Sequence, residues 1–168
     1  MKKYFLYLLI YSIGGYILER IINLIAYGHW VENRVLIGFY QPLYGAGILM
    51  AILLYDFVLE KYIGNKLYRM FALLITTIIT TGISEAVVGF GYDYLYGVSL
   101  WDYNLYFSCN LKYVCLIPTT LFGILSFTAI ILVHPYIKTI EKMVPKTVAT
   151  ILFVIFIIDI IVTFIFIL

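Results

Sequence analysis

Three carboxylates stand inside long apolar stretches of this sequence, each with small or polar residues at helical spacing. Ser12, Gly15, Glu19 and Asn23 fall on one face of the first stretch, and Thr77, Thr81, Glu85 and Gly89 recur every four residues in a later one. Asp159 lies in the middle of the last stretch, with Thr163 one turn on. A carboxylate at bilayer depth costs roughly 3 kcal/mol, so it turns toward a protein interior and a partner. Small neighbours beside it let another helix approach closely. Such groups could bind a substrate, or could pair with basic residues and hold helices together. Two carboxylates at one depth could also exchange a proton with a bound lipid if burial separated their affinities for it. No histidine stands among them to activate Ser12 or Ser84, and no acidic metal-binding run is present.

The elements that position these groups follow from composition. Of 168 residues, 64% are hydrophobic and 12% charged, with a mean hydropathy of +1.05. A soluble domain carries roughly a quarter charged residues, so this surface is not built for water. Five continuous apolar segments are each long enough for a ~30 Å hydrocarbon layer, which takes about 20 helical residues. They run from Tyr4 to Tyr27, Val35 to Tyr55, Tyr68 to Phe90, Tyr113 to Val133 and Val148 to Leu168. The expected fold is an all-α integral membrane protein of five transmembrane helices forming one transmembrane domain. Continuous rather than alternating runs exclude a barrel.

Orientation follows from the basic residues. Lys2, Lys3, Lys61, Lys66, Arg69, Lys138, Lys142 and Lys146 fall on one side, and only Arg20, Arg34 and Lys112 toward the other. The positive-inside rule places the N-terminus in the cytoplasm and the C-terminus outside. Glu19 and Glu85 then share the outer part of the membrane with Arg20, Arg34 and Lys112, as a mixed-charge cluster. The start, Met1-Lys2-Lys3 and an apolar run, lacks a small-x-small cleavage site and reads as a retained first helix. Most of the 17 tyrosines, with Trp30 and Trp101, fit interfacial belts. Cys109 and Cys115 read as ordinary packing residues, with a disulfide between them as the alternative. With His29 and His134 they are too few and scattered for structural zinc. No Walker glycine loop is present, and no basic arm suited to nucleic acid.

A parallel repeat of helices 1–2 and 3–4 is also expected. Asn33-Arg34 leads through Pro42 to Gly47-Ile48-Leu49, and Asn110-Leu111-Lys112 leads through Pro118 to Gly123-Ile124-Leu125. The units would be residues 4–55 and 68–133, followed by a final helix 148–168. Irregular helix starts at corresponding positions can turn backbone groups toward a ligand.

The same residues carry a resemblance. Tyr11-Ser12, Gly15, Glu19, Asn33-Arg34, Pro42-Leu43-Tyr44-Gly45, Glu85, Trp101-Asp102-Tyr103-Asn104 and Asn110 resemble the bacterial type IV ABC-transporter permease family, over residues 8–130. Val35, Phe39 and Asn104 depart from its pattern, so the chain is a divergent member. The resemblance implies a small transport subunit in the bacterial cytoplasmic membrane, without cofactor, working as an oligomer with its ATPase on a separate polypeptide. Substrate contact would fall to Glu19, Arg34, Glu85, Trp101, Asp102 and Asn110. Asn23 and Asp159 would add intramembrane polar contacts, with Asp159 further in. The stretch Pro135–Pro145, with Ile137, Ile140 and Val144 beside Lys138, Glu141 and Lys142, could form a short amphipathic helix against that ATPase or a plain interfacial linker. The alternatives are an intramembrane enzyme acting on a lipid or lipid-linked substrate, and a regulatory or scaffold protein.

Overall fold

The computed structural model describes residues 2–29, 35–105, 109 and 111–167. They form five helices long and apolar enough to cross a membrane: α1 (Lys2–Tyr27), α2 (Pro42–Tyr62), α3 (Lys66–Tyr96), α4 (Leu116–Met143) and α5 (Lys146–Ile165). No strand occurs among the described residues. The protein is an all-α membrane protein, as its hydropathy requires.

Three helices depart clearly from the expected bounds, α3 by running on past Phe90 to Tyr96. The second helix starts at Pro42, not Val35, and runs on to Tyr62. Proline has no amide hydrogen to lose at a helix start, so the first turn accommodates it there. Residues 35–41 precede the helix as irregular chain. The fourth helix starts at Leu116 and continues to Met143, so the stretch after Pro135 is the end of a long helix rather than a separate short one. Its preceding turn is π-helical over Ala129–Val133. At 1.5 Å per residue, α3 and α4 are each more than about 40 Å long. Both outrun the hydrocarbon layer.

Local signals account for the helix ends. Asn65 caps α3 through its side-chain oxygen, which accepts from the amides of Leu67 (2.9 Å) and Tyr68 (3.3 Å). Gly97 closes the same helix in the left-handed conformation, with φ of 66°.

The chain sorts into two compact units, Met1–Gly45 with Tyr136–Leu168, and Ala46–Pro135. In the first, α1 packs on α5 through Phe5, whose ring meets Phe153 and Phe156 edge-on. Gly45 sits on α1 so closely that an added Cβ would run into the Ser12 hydroxyl and the Leu8 carbonyl. Gly15 lies under the Tyr44 ring in the same way. Lys2 Nζ, at the other end of α1, pairs with the Glu141 carboxylate at 3.0 Å. In the second unit, α3 packs along α4. Gly123 lies against the backbone of Ile78, Gly82 against Thr119, and Gly89 under the Tyr113 ring. These contacts fall at one- and two-turn intervals along α3, which is how two helices stay close without hydrophobic drive between them in lipid.

Replacing Gly123 by leucine is therefore expected to destabilise the detergent-solubilised protein by about 1–3 kcal/mol through overpacking. Leucine at Gly14, which faces open space, should leave thermal unfolding unchanged.

Candidate functional site

All three intramembrane carboxylates take hydrogen bonds from residues at or just before the start of an even-numbered helix. In the first unit, Glu19 accepts from the side-chain amide of Gln41 at 2.9 Å. The Gln41 backbone amide donates to the Ser12 carbonyl at 2.9 Å, so one residue is held twice by the polar face of α1. The expected stripe of α1 is thus real, with Ser12, Gly15 and Glu19 all meeting residues 41–45. Asn23, one turn beyond Glu19, is only 8% exposed, and its amide nitrogen has no hydrogen-bond partner among the described residues.

Asp159 does not stand apart from this region. Its carboxylate takes the backbone amides of Ile37 (3.0 Å) and Gly38 (2.8 Å), the hydroxyl of Thr163 (3.0 Å) and the phenol of Tyr40. It is the anchor for the irregular chain leading to Gln41 and α2, rather than a further polar contact set deeper. Seven residues without helical bonding would otherwise carry unmet amide donors through apolar surroundings. Burial and the Asp159 carboxylate both hold the Tyr40 phenol protonated well above its ordinary range. The Tyr40 ring also lies 5.2 Å from that of Phe156 on α5.

In the second unit, Glu85 is 5% exposed on the α4-facing side of α3. Thr119, in the first turn of α4, donates its hydroxyl to Oε2 at 2.5 Å, and the Tyr103 hydroxyl lies 3.5 Å from Oε1. Both partners are neutral. Lys112 does not join Glu85, contrary to the expected mixed-charge cluster. It reaches back to Asp93, two turns further along α3, at 2.8 Å. Hydrogen bonds to Asp93 and to Tyr113 hold the Lys112 amine above its ordinary value. Arg20 stacks its guanidinium over the Tyr16 ring at 5.0 Å.

The connection between α3 and α4 builds the rest of this site. Trp101 donates its indole N–H to the Tyr113 carbonyl at 3.1 Å, and the two rings meet edge-on. The Tyr103 amide donates to the Lys112 carbonyl at 2.7 Å, and Ser99 and Tyr113 share a hydroxyl bond of 3.0 Å. Asp102 accepts from the Asn104 amide at 2.7 Å, closing a tight turn. Of the expected site residues here, Trp101 and Asp102 shape the loop, and their neighbour Tyr103 reaches Glu85. Cys109 and Cys115 form a disulfide, not the independent packing expected of them; their Cα atoms are 5.0 Å apart, within the usual span. Arg34 and Asn110, both expected at the site, and Trp30 lie outside the described residues.

The profile of the family described as "Putative ABC-transporter type IV" matches residues 6–164. The chain belongs to this family. The match extends past the motifs that suggested it, through α4 and most of α5, so Asp159 falls inside the family's own span. No curated protein and no solved structure matches the chain.

Gln41, Tyr40, Tyr103 and Thr119 were not among the expected site residues. Two of them had a usable signal: Gln41 precedes Pro42 and Thr119 follows Pro118, each beside a proline that marks a helix start.

Asparagine at position 159 offers one acceptor oxygen where the carboxylate offers two. Asp159→Asn should therefore speed hydrogen exchange at the Ile37 and Gly38 amides about tenfold or more, as expected for losing a charge-assisted bond worth ~1.5–3 kcal/mol. Amides on α1 should exchange as before.

Proposed function

We propose that this protein is the membrane-spanning subunit of an ABC-type transporter in a bacterial cytoplasmic membrane, and that Glu85 is its principal substrate contact. The observation that carries the reading is the Glu85 carboxylate itself. It is buried in a transmembrane helix, and among the described residues its partners are two hydroxyls with no cation. A carboxyl met by two hydroxyls keeps acceptor lone pairs available for a ligand rich in hydrogen-bond donors. Tyr103 and Thr119 position it.

Two features support an outward-facing site. The N-terminal end of α4 and the C-terminal end of α3, where Glu85 lies, are opposite the Lys61, Lys66 and Arg69 connection. A disulfide sits at that same end, and disulfides persist in oxidising compartments outside the cytoplasm. Charge and redox chemistry therefore agree on an N-terminus inside and a C-terminus outside.

The parallel repeat gains support from contact geometry. Gln41 bonds Glu19, and Gly45, four residues on, packs on Ser12, seven residues before that glutamate. Thr119 bonds Glu85, and Gly123, four residues on, packs on Ile78, again seven residues before the glutamate. Aligning these contacts pairs Gln41 with Thr119, two positions away from the pairing that aligns Pro42 with Pro118.

The ATPase is a separate polypeptide. It contacts the end of α4, where Tyr136, Ile140 and Met143 are exposed beside Lys138 and Lys142, and where Lys2 fixes Glu141. The functional complex contains more than one membrane subunit, since five helices are few for a permease. The enzyme reading is disfavoured because both serine hydroxyls near the carboxylates are spent on helix carbonyls, Ser12 on Leu8 and Ser84 on Thr80.

Native mass spectrometry of the protein drawn from its own membranes should show a stoichiometric ATPase and a bound small molecule. Glu85→Gln should keep the ATPase and lose the small molecule. Bare protein carrying only bulk lipid would contradict the reading.

A further inference from the structure

We propose that the end of α4 and the start of α5 form a docking surface for the headgroups of anionic phospholipids, held by Lys138, Lys142 and Lys146. All three side chains are exposed, and none has a partner among the described residues. Glu141 is the one acid between His134 and Val148, and it is already paired. Lys2 Nζ meets its carboxylate at 3.0 Å and its backbone carbonyl at 2.8 Å. The first turn of α5 contributes no acid to offset the lysines. Three positive charges therefore stand together without compensation.

Their depth is that of a headgroup. From Lys146 to Ile165 α5 has 20 residues, about 30 Å, the thickness of the hydrocarbon layer, so Lys146 stands at its boundary. The Lys2–Glu141 pair puts the end of α4 level with the first residue of α1, where another span begins. Ammonium groups on flexible stems reach lipid phosphates at that boundary, and each adds to the attraction. The other basic connection, between α2 and α3, lacks this surplus. There Lys61, Lys66 and Arg69 are set against Asp56 and Glu60, and Lys61 and Arg69 lie over the rings of Tyr62 (5.3 Å) and Tyr55 (6.0 Å). At the end of α4 the exposed apolar groups Tyr136, Ile140 and Met143 follow one stripe, two residues out of phase with Lys138 and Lys142. Lipid on the lysines leaves that stripe to the ATPase, and the claim itself needs only the membrane.

The test is native mass spectrometry of the full protein in neutral detergent, with equal amounts of phosphatidylglycerol and phosphatidylcholine of the same chains. The wild type should retain the anionic lipid in preference to the zwitterionic one. K138Q/K142Q/K146Q should weaken that preference about tenfold or more, the scale expected from three lysines at a lipid surface. K61Q/K66Q/R69Q, which removes the same charge from the other connection, should keep it. No preference in the wild type, an equal loss in K61Q/K66Q/R69Q, a preference that survives without the three lysines, or displacement of the lipid by excess inorganic phosphate would each overturn the proposal.

Discussion

A carboxylate within an apolar span must find its hydrogen-bond donors inside the protein, because lipid offers none. Much of this architecture follows from that one constraint. Glu19, Glu85 and Asp159 each draw donors from the chain entering α2 or α4, and those chains in turn have polar groups that need acceptors. Asp159 is the clearest case. It meets two backbone amides of a non-helical segment that could not otherwise exist beside apolar helices. The carboxylates are thus structural, fixing helix starts, and among the described residues Glu85 is met by hydroxyls alone.

Close approach is the second condition. A hydroxyl or amide reaches a carboxylate on the next helix only if the helix backbones come near, and glycines supply that at Gly45, Gly82, Gly89 and Gly123. The order of contacts along the helices, donor and then a packed glycine four residues on, is the same around Glu19 and Glu85. Aligning the two sets of contacts in this order places the prolines two positions out of register.

Hydropathy made the five helices legible in the sequence, and helical spacing made the stripes of α1 and α3 legible with them. The start of α2 was not, because residues 35–41 are as apolar as a helix and only Pro42 marks the boundary. That an apolar stretch stays irregular depends on Asp159, more than a hundred residues away, and no local pattern records such a bond. Glu85 was legible as a buried polar position from its isolation in an apolar run. Its partners were not, since Tyr103 belongs to a connection and Thr119 to a different helix. The pairing of Lys112 with Asp93 rather than Glu85 depends on where α3 ends, at Gly97, well beyond the apolar segment that ended at Phe90. The disulfide, too, is a product of the loop's folding, which brings cysteines six residues apart face to face.

The most direct test of the account is a double-mutant cycle on Glu85→Gln and Thr119→Val, read from unfolding free energies of the protein in detergent or bilayers. If the buried carboxylate is held by the hydroxyl at the start of α4, the two changes are coupled by about 1 kcal/mol or more. Strict additivity would mean that the pair contributes nothing to holding α4 on α3, and would contradict the claim that intramembrane carboxylates set the helix starts.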